Sequence, residues 1–433
     1  MRDVRGAALV LALAASGPAR AEGLIDVWRE ARAHDPVLAA ADATRAGVHD
    51  LADQARAALR PQAGATAAAG RDRVSGAGQA TRDGHDTNVS LAVSQVVFDA
   101  GLLSQARAAR QNADGQDAAW RAAEQALALR VAAAYFDALL AADALATQQA
   151  NEDAYALQAS QSESRVAAGL AAQVDVEQAR VYEALAHGST TAARQALADA
   201  RDAIGEITGR APGALRPLRD ELPLVAPQPA DAEAWVSRAL ADNPAVAAAR
   251  LGVEAAGSAV DVARAGHLPT LSAGLNFGRP TGAALYGDGS GRLTTTAALT
   301  LQVPLFTGGA TQARVHQAEH ARAGAEDALE SQRRAVARAA RAAYGGTLAA
   351  IGQLRATRDA VASARRALAA SRAGREAGNQ TLNDVLLAIQ VLGAAQDAYA
   401  QARHQLVLDR LQLLQAAGGL GEAELAAVDA WLE

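Results

Sequence analysis

Residues 297–309 read Ala297-Ala298-Leu299-Thr300-Leu301-Gln302-Val303-Pro304-Leu305-Phe306-Thr307-Gly308-Gly309. Ala297, Leu299, Leu301 and Val303 interleave with Ala298, Thr300 and Gln302, the period of two that gives a strand with unlike faces. Thr307 to Gly309 mark a strand-to-helix junction, where glycine permits a sharp change of direction. No proline follows Pro304, so a long helix is free to begin. Upstream, Leu271, Ala273, Leu275 and Phe277 alternate with Ser272, Gly274 and Asn276, which predicts a second strand. The run Gly287-Asp-Gly-Ser-Gly291 between them lacks the flanking strand and helix of a phosphate-binding loop and reads as the outer loop of a hairpin. Local alternation alone fits a lipid-out, lumen-in membrane barrel and an antiparallel sheet with one wet face equally.

The same unit is written twice. A spacing of 208 relates Ala31 to Ala239, Pro36 to Pro244, Ala55-Arg56-Ala57 to Ala263-Arg264-Ala265, Pro61 to Pro269, Phe98 to Phe306 and Gly101 to Gly309. A spacing of 209 relates Tyr135 to Tyr344, Gly169 to Gly378, Asp175-Val176 to Asp384-Val385 and Gly209 to Gly418. One residue of slippage over such a span indicates a tandem duplication. In the first copy a helix of about 37–59 ends before Pro61. Val89, Leu91 and Val93 then alternate with Ser90, Ala92 and Ser94 after a weaker strand from Ala63 to Gly70. Asp99 and Gly101 hold the junction corresponding to Gly308 and Gly309.

Each strand pair precedes a very long helical stretch. Gly101 to Ala168 contains no proline, and Leu127, Val131, Ala134, Ala138, Ala142 and Leu145 form a stripe at helical spacing. Roughly 65 residues at 1.5 Å rise span about 100 Å. Gly169 breaks the pattern, and a returning helix runs to Gly209, a C-terminal glycine cap. Gly378 and Gly418 repeat both features. Helices of this length imply coiled-coil packing. The expected organisation is a signal peptide at 1–21, a first repeat at 22–210, a Pro-rich linker at 211–230, a second repeat at 231–420 and a tail at 421–433. The linker holds Pro212, Pro217, Pro223, Pro227 and Pro229, five of the twelve prolines.

At the N-terminus Arg2 and Arg5 precede the apolar run Ala7 to Ala15, and Ala19-Arg20-Ala21 fits a cleavage site. The mature chain is therefore expected to leave the cytoplasm. No uninterrupted apolar stretch of about 18 residues follows, so no transmembrane helix is expected. Among 433 residues only 3% are aromatic and one is Met, which suits thin, closely packed helices better than a deep core. All 41 basic residues are Arg, the net charge is −6 and the charges are scattered, which gives no footprint for nucleic acid. The absence of Cys excludes disulfides, thiolate metal sites and a Cys nucleophile.

Four amphipathic strands cannot close a barrel, and lipid tolerates no open edge. If the strands lie in a membrane, several chains must then share one barrel. Two copies would give eight strands with a filled interior; three would give twelve and a lumen. Helices continuing from those strands would ring the same axis and extend the lumen away from the membrane.

The chain resembles the TolC-like outer-membrane factors of efflux pumps and type I secretion systems over about 24–420. The segments that carry the resemblance are Ala31-Arg-Ala-His-Asp-Pro36, Ala265-Gly-His-Leu-Pro269, Gln95-Val-Val-Phe-Asp-Ala-Gly101, Val303-Pro-Leu-Phe-Thr-Gly-Gly309, Ile207-Thr-Gly209 and Gly378-Asn-Gln-Thr-Leu-Asn-Asp-Val385. The resemblance implies a mainly α homotrimer with four strands per chain in a twelve-stranded β-barrel in outer-membrane lipid, and long antiparallel helical hairpins in the periplasm. It also implies docking to a periplasmic adaptor (membrane fusion protein) and an inner-membrane transporter of ABC or RND type that supplies the energy. No cofactor is implied.

Gly169 and Gly378 would then lie at the far tips, where the resemblance places the tunnel entrance and the adaptor-docking surface. Asp175 and Asp384 lie about one turn into the returning helices, a favourable place for a carboxylate in any helix. The resemblance implies that Asp384 faces the axis, where three copies form a cation-preferring ring. Some relatives carry a second acidic residue where this chain has Leu387, and a basic residue where it has Gln380, so the constriction is expected to close through different contacts. His316-Gln-Ala-Glu319-His320 matches a zinc-peptidase pattern, but the first copy lacks it and no third ligand is evident; it reads as a solvated helix face. Trp28 and Trp235 read as anchors for helices near the linkers. The expected activity is a passive exit duct and not an enzyme. The competing reading is a periplasmic coiled-coil adaptor or scaffold, which would leave two amphipathic strand pairs unexplained.

Overall fold

The computed structural model describes residues 21–76, 79–281 and 293–433. The signal-like residues 1–20 and the loop Gly287–Gly291 lie outside them. The first half comprises α1 (Leu24–His34), α2 (Pro36–Ala57), β1 (Gln62–Gly76), β2 (Gln79–Phe98), α3 (Ala100–Ala167) and α4 (Gln173–Thr208). After a segment without helix, the same order recurs as α5 (Ala232–Asp242), α6 (Pro244–Ala265), β3 (Thr270–Thr281), β4 (Thr294–Gln302), α7 (Ala310–Glu376) and α8 (Leu382–Ala416), with a short α9 (Glu422–Asp429) at the end. The sequence predicts one helix near 37–59, yet two are present. Asp35 is extended and its Oδ2 accepts the Leu38 N–H at 2.7 Å, so α2 starts afresh at Pro36. Asn243 does the same for α6, accepting the Ala245 N–H at 2.9 Å.

The chain divides into two compact units. One comprises Ala40–Ala123 and Leu240–Arg338 and contains the sheet, an antiparallel meander in the order β1-β2-β3-β4. Its register places Ala63, Val93, Leu275 and Ala297 in one row, and Ala65, Leu91 and Phe277 in the next. Leu271 faces Leu301 and Ala273 faces Leu299. Residues opposite one another share a face, so the odd-numbered apolar positions of all four strands lie on one side, interrupted by Gln95 and Thr295. Thr66, Ser90, Asn276, Thr296 and Thr300 lie on the other, where the Thr66 and Ser90 hydroxyls are hydrogen-bonded at 2.7 Å. The register slips by one residue between Val96 and Phe98, a bulge that puts Phe98 opposite Leu271 and keeps it on the apolar side. That side is uncovered: Leu299 is 68% exposed and Leu301 63%.

The other unit comprises Met1–Ala39, Glu124–Ala239 and Ala339–Glu433. On α7 the buried positions Thr347, Ala350, Leu354, Thr357, Val361, Ala364 and Leu368 alternate steps of three and four, a coiled-coil seam. Leu354 packs with Ala402 and Leu406 of α8, and Leu368 joins Tyr155, Ala179, Leu386 and Ile389 in a four-helix cluster. The linker is clasped from both ends of the chain. Glu22 bridges to Leu215 and Leu432 to Leu218, Arg216 pairs with Asp429, and the buried Tyr135 hydroxyl lies 3.0 and 2.9 Å from the carbonyl oxygens of Glu22 and Arg216. Trp28 and Trp235 are both buried, and the Trp235 indole N–H donates to the Pro229 carbonyl at 2.8 Å.

α3 contains an 18-residue window apolar enough, by length and composition, to cross a membrane, although charges interrupt its apolar runs. Of that window 44% is buried, and α3 places Leu127, Val131, Tyr135 and Phe136 in the protein core.

Candidate functional site

The two helical hairpins turn at Gly169 and Gly378, with φ of 71° and 78°, a left-handed conformation that favours glycine. The Leu170 N–H reaches back to the Arg165 carbonyl at 2.8 Å, and the Asn379 N–H to that of Gly374 at 2.8 Å. These bonds satisfy carbonyls that each helix end would otherwise leave open. The returning helices begin differently. Thr381 caps α8: its hydroxyl accepts the Asp384 N–H, while the Asp384 carboxylate accepts the Thr381 N–H at 2.8 Å and the Thr381 hydroxyl at 2.8 Å. The reciprocal arrangement is a capping box. The Thr381 backbone N–H, then its hydroxyl, hold the Asp384 carboxyl below its usual range. α4 has no side-chain cap at Ala172, so Asp175 contributes charge to its first turn without closing a box.

Asp384 and Leu387 are both exposed, one turn apart on α8. Gln380 folds back over the end of α7, where a Cβ on Gly374 would stand 3.0 Å from its Cγ. Side chains not singled out in the sequence join the tips. The Gln178 amide donates to Asn383 at 3.0 Å, linking α4 to α8. The Arg375 guanidinium donates to Gln158 at 2.7 Å and to the Ser162 hydroxyl at 3.2 Å, linking α7 to α3. Gln158 and Ser162 are 4% and 0% exposed, so this is a largely dehydrated contact. Burial, with Arg165 nearby, pulls the Arg375 pKa below its usual value, and Asp175 opposes that shift. A signal for Arg375 was present: it falls seven residues after Leu368, where the α7 seam calls for an apolar side chain.

The strand-to-helix junctions also differ from each other. Gly308 and Gly309 have φ of 63° and 85° and make the change of direction expected of them. Gly101 does not: it lies in the first turn of α3. There the chain is started by Asp99, whose Oδ1 accepts the Leu102 N–H at 3.0 Å, so one capping carboxylate replaces a glycine hinge. Leu305 and Phe306, before the second junction, are 92% and 89% exposed. Two side chains of the His316–His320 segment are engaged by neighbouring residues. Glu319 pairs with Arg264 at 2.8 Å, His316 contacts Gln312 at 2.8 Å, and no metal-holding cluster occurs among the described residues.

Two kinds of similarity to known proteins accompany this geometry. The chain matches the protein family described as outer membrane efflux protein twice, over residues 27–210 and 235–419. It is 32% identical over 422 residues to the outer membrane protein TolC of Vibrio cholerae, covering 95% of this chain and 94% of that one. It is 30% identical over 422 residues to the alkaline protease secretion protein AprF of Pseudomonas aeruginosa, covering 94% and 87%. Among solved structures, CusC superposes with a TM-score of 0.82 at 20% identity, covering 92% of this chain and 93% of that one. VceC of Vibrio cholerae superposes with a TM-score of 0.78 at 22% identity, covering 92% and 96%. At those identities the structural matches bear on the fold.

Proposed function

Because the chain belongs to the outer membrane efflux protein family, a family of outer-membrane channels and not of enzymes, we propose that it is the exit duct of a tripartite efflux or type I secretion assembly. In this reading it is a passive conduit, and an inner-membrane transporter of ABC or RND type drives cargo through it by way of a periplasmic adaptor. The observation that carries the reading is the uncovered, mainly apolar face that runs across all four strands of the sheet. A water-soluble sheet would cover such a face; a membrane strand turns it to lipid. Both outer strands, β1 and β4, have only one neighbour in the sheet, and an open edge in lipid leaves backbone groups unpaired. Three copies joined edge to edge give twelve strands and a lumen. An adaptor or scaffold would have no use for this sheet.

The repeated element order, and the two separate family matches at 27–210 and 235–419, support a tandem duplication with repeats at 22–210 and 231–420 joined by a linker at 211–230; a cleaved signal at 1–21 and a tail at 421–433 complete the reading. The tips at Gly169 and Gly378 are the adaptor-docking ends. Asp384, with Gln380, Leu387 and Asp175 around it, lines the constriction. The TolC and AprF relatives are an outer-membrane protein and a protease secretion protein by name, which supports export as the shared task.

Native mass spectrometry of the processed protein from an outer-membrane fraction tests the shared barrel. A detergent-dependent mass of three mature chains is the expected result. A soluble periplasmic monomer would overturn the duct.

A further inference from the structure

A groove of about 300 Å³ lies between α3, α4 and α8, directly beside the cluster that holds Tyr155 and Leu386. We propose that this groove is a binding site for a small organic ammonium ion. Its wall pairs two aromatic rings, Tyr155 and Tyr182, with centroids 5.4 Å apart, and a carboxylate, Asp397. The Asp397 Oδ2 accepts the Gln148 amide at 3.2 Å. Its Oδ1 is shut off from solvent, and the Thr147 hydroxyl nearby partly offsets the effect of that burial on the carboxyl. The neighbouring Thr147 hydroxyl donates to the Asp143 carbonyl at 3.1 Å. Among the described residues no Arg, His or second carboxylate lines the groove, so Asp397 has neutral hydrogen-bond donors but no cation there, where a buried charge normally has an ion pair. Another carboxylate near the same helices, Asp143, is paired with Arg403 at 3.0 Å.

An anion is excluded by the lone carboxylate, and a bare metal ion by a single charged ligand in so large a space. An alkylammonium satisfies every element of the wall. Its charge would sit beside Asp397 and its methyl groups against the half-buried Tyr182 ring, which attracts cations, with Gln148 and Asn151 in the remaining wall. Gly393 keeps the Asn151 amide in place, since a Cβ there would lie 2.4 Å from its nitrogen. The inference does not rest on the duct reading, because all the lining residues come from one chain.

Isothermal titration of the full-length protein in detergent at low salt, with choline and with its uncharged isostere 3,3-dimethylbutan-1-ol, tests it. Choline is expected to bind saturably and the alcohol at least tenfold more weakly. Asp397→Asn, which keeps the Gln148 contact, is expected to weaken choline at least tenfold, and Tyr182→Leu about three- to tenfold. Burial raises the Asp397 pKa, so choline binding should fade as pH drops toward the upper carboxylate range. Equal binding of choline and the alcohol, undiminished binding by both variants, or no saturable binding to the wild type would overturn the proposal. A monomeric preparation that still binds choline would defeat the trimer and leave this site standing.

Discussion

Leu91 of β2 stands directly opposite Phe277 of β3. That pair joins the first strand hairpin to the second, and it does so on the apolar face. Had β3 docked one residue out of register, Phe277 would meet Ser90 or Ala92 and the face would be broken, because strand side chains alternate with a period of two. The pairing therefore makes two separately coded hairpins into one surface with a single lipid-compatible side.

Charge placed on the two faces should have unequal effects. Leu299→Arg puts a guanidinium on the apolar side, at an expected loss of roughly 2–4 kcal/mol at mid-membrane depth. Thr300→Arg, its neighbour on the polar side, should lose less than about 1 kcal/mol. Urea-dependent folding into phospholipid vesicles measures both. Equal losses would mean that the faces are not divided between lipid and lumen.

Alternation and glycine were readable because both act locally. Leu271 to Phe277 and Ala297 to Val303 display their period without reference to any partner, and Gly169, Gly209, Gly378 and Gly418 all adopt positive φ. The order of the strands was not readable, since four short amphipathic runs can pair in several ways. α1 escaped notice because its eleven residues end against Asp35-Pro36, and one short amphipathic turn pattern beside a signal sequence carries little weight. Gly101 was assigned a hinge by analogy with Gly309, whereas Asp99 starts the helix with its side chain. Around the candidate site, Thr381-Leu-Asn-Asp384 spells a capping box that spacing alone could have shown. The Arg375 contacts with Gln158 and Ser162 join residues far apart in the chain, and only packing reveals them.

Asp384 should have two separable roles. Asp384→Asn removes the charge but retains an oxygen that can accept the Thr381 N–H, so α8 keeps its start while cation selectivity falls in planar bilayers. Asp384→Ala should lose both. The folded-state pKa is depressed, so the capping contribution is complete above the ordinary carboxylate value of about 3.9 and disappears as pH falls through the lower folded value. Reversal potentials unchanged in both variants would remove Asp384 from the filter.

The Arg375 contact should control opening of the tip. Arg375→Ala leaves the buried Gln158 and Ser162 groups without their donor, a loss of roughly 1–3 kcal/mol. Hydrogen exchange in the last turns of α3, before Gly169, should accelerate by about ten- to a hundredfold. Arg375→Leu restores the apolar seam but not the donor, so it should recover only part of the protection. Wild-type exchange in both variants would show that α3 and α7 are held together by other contacts.

Farther along α8, Arg403 should matter more to stability than any exposed arginine on α7. Its side chain is 8% exposed, and it pairs with Asp143 at 3.0 Å and with Asp220 at 2.7 Å. His404, 3% exposed, contacts the same Asp143 oxygen at 3.0 Å. Burial opposes the charged form of Asp143, yet His404 and Arg403 together hold its carboxyl below the usual range. Arg403→Ala leaves that carboxylate with His404 alone and should cost about 1–2 kcal/mol, less than loss from a fully buried pair because Asp143 is 37% exposed. Arg358→Ala breaks the exposed pair with Glu221 at 3.2 Å and should cost less than about 1 kcal/mol. Because the Asp143 pKa is depressed on folding, its contribution is complete above about pH 3.9 and is lost as pH falls through the folded value. Thermal melts of the two variants should therefore differ most at pH 7, and the gap should narrow as pH falls below the ordinary carboxylate range. A constant gap between them would show that Arg403 acts through packing against Tyr399, 5.6 Å away, and not through its charge.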